Sequence, residues 1–123
     1  MNETAINEYR TLLIAKREEI AGKSRLREDI WIVQSAEQIE TVQLAGLREF
    51  AARTMERESK SRMQIGAALK RIDDGVFGIC LDCEEPISPR RLAAVPWAGY
   101  CLHCQELHDA QESMDAGESK LAA

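Results

Sequence analysis

The sequence contains few aromatic residues and no long apolar run. Aromatic residues make up 5% of its 123 residues and charged residues 30%, a composition that suits long exposed helices better than one globular core. No apolar stretch approaches the roughly 20 residues of a membrane-spanning helix. Residues 1–4 are mainly polar and do not resemble the apolar part of a signal peptide. We therefore expect a mainly α, cytoplasmic protein that makes no membrane contact.

A surplus of basic residues is also missing, because the formal net charge is −5. Nucleic-acid phosphates attract basic surfaces, so this balance argues against nonspecific DNA binding, and we expect no direct sequence-specific DNA binding either. The sequence shows no Ser-His-Asp set and no phosphate-binding glycine loop. His103 and His108 lie beside cysteines without an evident catalytic partner. These absences predict a protein that is not an enzyme and has no catalytic residues.

The cysteines form the most specific pattern in the chain. Cys80, Cys83, Cys101 and Cys104 follow a C-x2-C-x17-C-x2-C spacing, which can wrap four thiolates around one zinc ion. Two disulfides are the alternative, but they are typical of secreted proteins. A closed shell of four thiolates leaves no open coordination position, so we expect one structural Zn2+ per chain, with His103 as a bystander.

The segment between the two cysteine pairs cannot form a long helix. Pro86, Pro89 and Pro96 interrupt it, which favours a compact finger. We predict that a four-cysteine zinc-finger domain with a C-terminal helix covers residues 76–114. The small, polar and acidic residues 115–123 are expected to form a disordered tail.

The first 75 residues predict a long antiparallel helical hairpin, a coiled coil. Residues 4–34 contain no proline, and apolar residues recur at helical spacing there and again over residues 43–74. The two expected apolar stripes are Ile6, Tyr9, Leu13, Ile20, Leu26, Ile30 and Val33, then Leu44, Leu47, Ala51, Met55, Ile65, Ala68, Leu69 and Ile72. An antiparallel pairing sets Leu13 opposite Ile65 and Val33 opposite Leu44, which places the tip near residues 35–42. A rival turn at Gly46 would set Val33 against Ser59.

The cysteine segment also resembles a known family, the DksA/TraR zinc-finger proteins. The resemblance covers residues 50–105. It is carried by Ala67-Ala68-Leu69-Lys70-Arg71-Ile72, by Gly75, Phe77 and Gly78, and by Cys80-x2-Cys83-x3-Ile87-x3-Arg91-x4-Pro96-x4-Cys101-x2-Cys104. Glu84 departs from the family pattern, because glycine is common there. If the backbone takes a positive φ at this position, glutamate costs about 1 kcal/mol relative to glycine.

The resemblance implies a bacterial transcription regulator that binds RNA polymerase as a monomer. Such proteins insert the coiled coil into the secondary channel to modulate initiation, in some members together with the alarmone guanosine tetraphosphate, for which no site is identified here. They carry an Asp-x-x-Asp-x-Ala element at the tip. Glu37 and Glu40 keep the spacing of the two acids, and Val42 replaces the alanine. The two glutamates are therefore the candidate functional acids.

Two other functions fit parts of the sequence. A nucleic-acid-binding zinc ribbon could use Arg90 and Arg91 beside Trp97 and Tyr100, although the same finger carries several acidic residues. A redox-sensing zinc protein would lose its metal when the thiolates oxidise.

Overall fold

Four helices make up most of the protein. The computed structural model describes residues 1–36 and 41–122, with side chains described for residues 1–27 and 43–116. The helices are α1 (Glu3–Ala36), α2 (Thr41–Asp73), α3 (Pro89–Ala94) and α4 (Leu102–Ala122). Among these residues no strand longer than an isolated bridge, between Ile79 and Pro86, is present. The mainly α fold predicted from the sequence is confirmed.

The ends of the two long helices are set by local sequence. The side chain of Asn2 caps α1, since its Oδ1 accepts a hydrogen bond of 2.8 Å from the backbone N–H of Ala5. At the end of α2 the chain turns through Gly75, whose φ is 75°. The N–H of Val76 donates to the carbonyl of Arg71 at 2.9 Å, the pattern of a Schellman motif, which needs this left-handed residue. The chain therefore leaves α2 in a defined direction toward the cysteines.

The predicted tip lies between α1 and α2. Helix α1 ends at Ala36 and α2 begins at Thr41, so the connection falls inside the predicted range of residues 35–42. Glu37 and Glu40 lie outside the described residues.

The base of the hairpin and the finger share one core. Leu13 and Ile65, which the sequence paired across the hairpin, are both fully buried and belong to the same cluster as Phe77 and Leu92 of the finger. The rings of Tyr9 and Phe77 lie 5.3 Å apart. Burial of aliphatic side chains of this size is worth about 1.5–3 kcal/mol each, so this cluster fixes the finger on the hairpin.

Farther from the base, the seam differs from the predicted one. Leu26 and Met55 were expected in the apolar stripes, but they are 61% and 59% exposed. Between Ile65 and the tip, the half-buried positions on α2 are Ser61, Glu58, Thr54 and Ala51, with Leu44 one heptad nearer the tip than Ala51. They continue the alternating spacing of three and four residues that begins at Ile72, Ala68 and Ile65. The predicted stripe therefore includes the half-buried Ala51 and Leu44 but missed the polar seam positions Ser61, Glu58 and Thr54.

Helix α4 extends into the segment that was predicted to be a tail, and the disorder of that segment stays a prediction. Residues 115–123 form this segment, and α4 continues through Ala122. Alanine, glutamate, lysine and leucine predominate in this stretch and are good helix formers, which explains how the helix extends past the finger. Within residues 1–36 and 41–122, none of the helices combines the length and apolar character needed to cross a bilayer.

Candidate metal centre

The first cysteine pair lies on a tight loop. Gly78 has a φ of 82°, and the N–H of Ile87 donates to its carbonyl at 2.7 Å. The N–H of Cys80 donates to the carbonyl of Glu85 at 2.8 Å, and the N–H of Glu84 donates back to the carbonyl of Cys80 at 3.1 Å. Closing this loop forces a φ of 61° on Glu84, the position where the sequence departs from the family's glycine.

The second cysteine pair lies at the start of α4. Cys101 precedes the helix and Cys104 is in its first turn, and the N–H of Cys104 donates to Cys101 Sγ at 3.5 Å. The N–H of Leu81 donates to the carbonyl of Gly99 at 2.9 Å. This hydrogen bond holds the two cysteine-bearing segments side by side.

The four thiols meet at one point. All four Sγ atoms lie within 4.8 Å of one another, and those of Cys83 and Cys101 are 3.8 Å apart. Zinc–sulfur bonds of about 2.3 Å in a tetrahedron separate the sulfurs by about 3.8 Å, whereas a disulfide bond is only about 2.0 Å long. None of the four is bonded to another. The arrangement fits one zinc ion and does not fit disulfides. His103, expected to be a bystander, is exposed and is not part of the group.

The pKa values of the thiols indicate that the cluster needs a bound cation before all four can be deprotonated. Burial raises the pKa of Cys80, but hydrogen bonds from the backbone of Cys83, Cys101 and Asp82 outweigh it and lower this pKa to about 6. The contact with the Cys101 thiol, together with burial, raises the pKa of Cys104 to about 12. Thiolates this close repel each other, so they cannot all ionise alone. A bound zinc ion removes the conflict, because coordination deprotonates thiols.

Two arginines hold the finger together instead of facing outward. Arg71 of α2 donates through Nη2 to the carbonyl of Trp97 at 3.2 Å, and burial lowers its pKa. Arg91 donates through Nε to the carbonyl of Tyr100 at 2.9 Å. Of the two arginines that the nucleic-acid interpretation offered to phosphate, Arg91 is thus half-buried and engaged in a structural contact, and only Arg90 is exposed. This geometry disfavours the zinc-ribbon alternative.

A contact between α4 and the first cysteine loop was missed by the sequence analysis. His108 Nε2 lies 2.5 Å from Asp82 Oδ2, and the ring of His108 lies 4.2 Å from that of Tyr100. Position 108 is one helical turn after Cys104, and Asp82 stands between two cysteines. The sequence shows only these positions relative to the cysteines, and that spacing does not reveal that His108 and Asp82 are in contact.

Comparison with known proteins agrees with the geometry. The profile of the family described as "Prokaryotic dksA/traR C4-type zinc finger" matches residues 75–110. The RNA polymerase-binding transcription factor DksA of Caulobacter vibrioides is 34% identical over 121 residues, covering 91% of this chain and 81% of that protein. The protein of the same name from Escherichia coli K12 is 30% identical, covering 95% of this chain and 80% of that protein.

A solved structure extends the likeness to three dimensions. The transcription factor DksA2 from Pseudomonas aeruginosa superposes with a TM-score of 0.77 at 27% identity, covering 91% of this chain and 88% of that chain. The similarity therefore includes the hairpin as well as the finger. With a four-thiol cluster, a helical hairpin and relatives aligned over most of their length, the chain belongs to the DksA/TraR family of C4-type zinc-finger proteins.

Proposed function

We propose that the chain regulates transcription by binding RNA polymerase and inserting its helical hairpin into the secondary channel. The observation that supports this proposal is the length of the alignment. Relatives named RNA polymerase-binding transcription factor DksA match over about nine-tenths of this chain, so hairpin and finger occur together in both. The chain would act as a monomer in the cytoplasm, where the polymerase is, and would contribute no catalysis of its own.

In this proposal the finger is a structural part. Cys80, Cys83, Cys101 and Cys104 hold one zinc ion with a closed shell, which supplies folding energy to a segment too small to build its own core. Because the finger packs on the hairpin base through Phe77, the metal site fixes the direction from which the hairpin leaves the finger.

The tip acids are proposed to provide the regulatory effect. Glu37 and Glu40 lie outside the described residues, and their assignment rests on the spacing of two acids at the predicted tip. Carboxylates delivered near a catalytic magnesium would perturb that ion or its neighbours. Chemistry would remain with the polymerase.

Binding is tested by a pull-down with purified core RNA polymerase, comparing the wild-type protein with a variant that lacks residues 35–42. We expect both to bind, because the finger and the sides of the hairpin supply most of the contact area. Failure of the wild-type protein to bind would end the proposal.

The regulatory effect is tested by measuring the lifetime of promoter complexes. Glu37→Ala/Glu40→Ala should lose most of the effect on this lifetime while its affinity for polymerase and its thermal stability change little. The matched control is Glu8→Ala/Glu18→Ala, which removes two exposed acids from the side of α1. Normal regulation by the tip variant would mean that the two glutamates are solvated helix residues.

A further inference from the structure

The middle of the hairpin lacks the apolar seam found at its base. Leu13 and Ile65 are fully buried. Beyond them, in the part of the chain whose side chains are described, no large apolar side chain in the hairpin is fully buried. The half-buried residues that follow include the polar side chains of Ser24, Arg27, Thr54, Glu58 and Ser61, and apolar side chains there, such as those of Ile20, Ala51 and Leu44, are only partly buried. Hydrophobic packing is therefore a weak source of alignment for the two helices in this region.

An ion pair occupies this polar stretch. Arg27 Nη2 donates a hydrogen bond to Glu58 Oε1 and joins α1 to α2. The two side chains are 27% and 15% exposed, whereas both members of every other ion pair among the described residues are at least 40% exposed. Shielding from water strengthens a charged contact, so this pair differs from the solvated pairs on the surface.

The second oxygen of Glu58 makes the carboxylate depend on Arg27. Oε2 is buried and accepts no hydrogen bond from the described residues. Ser24 and Arg62 contribute less to stabilising the charged carboxylate, so removing Arg27 would leave a partly buried charge without its main partner, which is costly.

The pair also distinguishes one helix register from its neighbours. A slide of one heptad, about 10 Å along the axis, would keep the alternating seam in place. With Arg27 opposite Glu58, such a slide would set Glu58 opposite Gln34 or opposite Ile20, and Arg27 opposite Ile65 or Ala51. None of these residues carries the opposite charge, so only the observed register pairs the two ions. The arrangement with Glu58 opposite Ile20 is the register that the sequence predicted from Leu13 and Ile65, so the observed ion pair differs from that prediction by one heptad.

We propose that Arg27 and Glu58 are positioning residues: their ion pair fixes the register of the distal half of the hairpin and thereby sets how far, and in which direction, the tip extends. A buried polar contact that specifies register at some cost in stability is a known device in coiled coils. The consequence for the tip rests on the proposed insertion into the polymerase, whereas the role in the free protein does not.

Hydrogen exchange of the zinc-bound protein tests the role in the free protein. Arg27→Gln and Glu58→Gln should each raise amide exchange about tenfold or more in residues 20–27 and 54–61, with little change in residues 65–72. The control is Lys23→Gln, which breaks an exposed pair with Glu19 and should leave all three segments unchanged.

The charge-swapped variant Arg27→Glu/Glu58→Arg decides between a specific pair and a general effect of charge. Restored protection would support the proposal. Unchanged exchange in the single variants, or no restoration by the swap, would overturn it. Should a single variant fail to fold, the swap still decides, since it keeps a pair at these positions and should fold with normal protection.

A second experiment links the pair to output. Arg27→Gln should bind core polymerase within about twofold of the wild-type affinity, yet its effect on promoter-complex lifetime should fall about tenfold, and the swap should recover it. An unchanged effect would overturn the link to the tip. If the wild-type protein does not bind polymerase, the proposed function fails, and the exchange experiment alone upholds or overturns the register role.

Discussion

The buried hydrophobic residues lie at one end of this molecule, where the hairpin base meets the finger. In the described part of the chain, none of them lies after Leu13 on α1 or before Ile65 on α2. Toward the tip the described part of the seam contains serine, threonine and a shielded ion pair, and its apolar side chains, those of Ile20, Ala51 and Leu44, are only half-buried. The base thus resembles a small globular domain with a metal site, while the distal half is held by few contacts.

Removal of zinc should have the largest effect on the difference in stability between the base and the distal half. Structural zinc sites of this kind contribute on the order of 10 kcal/mol to folding, so chelation should unfold the finger. Because Phe77 and Leu92 share a core with Leu13 and Ile65, the hairpin base should lose protection too, whereas the distal half should change less. Metal analysis, circular dichroism and segment-resolved hydrogen exchange measure this.

The matched variants for the metal site are Cys104→Ser and His103→Ala. The first should abolish stoichiometric zinc binding, and the second should retain one zinc per chain, because His103 is exposed and outside the thiol group. A finger that keeps its protection without metal would contradict this account of the base.

The next largest effect on stability is expected from replacing a leucine at the base of the hairpin, compared with a leucine in its distal half. Leu13→Ala should lower the free energy of unfolding by about 2–5 kcal/mol, because it removes a fully buried side chain and leaves a cavity. Leu26→Ala should change it by no more than about 0.5 kcal/mol, since Leu26 is mostly exposed. Urea unfolding measures both. Equal losses would show that the distal seam is apolar after all.

The difference between the base and the distal half also explains which features of the fold could be predicted from the sequence. The thiol cluster follows from cysteine spacing, and the long helices follow from periodicity and from Gly75. The polar part of the distal seam was missed because a heptad that passes through Ser61 and Glu58 has no apolar signal, whereas Ala51 and Leu44 were predicted and are half-buried. The contacts of Arg71 and His108 were missed because each joins residues that are 26 positions apart in the chain. Local sequence patterns do not show which distant residues are in contact.

Acid should weaken the distal half through Glu58. The hydrogen bond from Arg27 lowers the pKa of this carboxyl below its ordinary value of 4.5, against the opposing effect of burial. The resulting stability is therefore fully present above about pH 4.5 and is lost as the pH falls through the lower pKa of the folded state. Exchange in residues 54–61, followed from pH 6 down to about pH 3, should show this loss after correction for intrinsic rates.

The control for this measurement is Glu58→Gln, which cannot titrate at this position. It should start with lower protection and lack the additional loss in acid. The same pH dependence in both proteins would assign the effect to other carboxylates.

The smallest expected effect lies in the finger, at the residue with a left-handed backbone. Glu84 has a φ of 61°, a conformation that costs a residue with a Cβ about 1–2 kcal/mol. Glycine avoids this strain but loses about 0.5–1 kcal/mol through the greater freedom of the unfolded chain. Glu84→Gly should therefore stabilise the finger by up to about 1 kcal/mol, seen as tighter zinc retention against a chelator and a melting temperature higher by a few degrees.

The matched control is Glu85→Gly. The φ of Glu85 is not positive, so the same substitution should be destabilising there. Stabilisation by both variants would point to relief of acidic repulsion beside the thiolates, and stabilisation by neither would mean that the loop of the first cysteine pair relaxes without cost around Glu84.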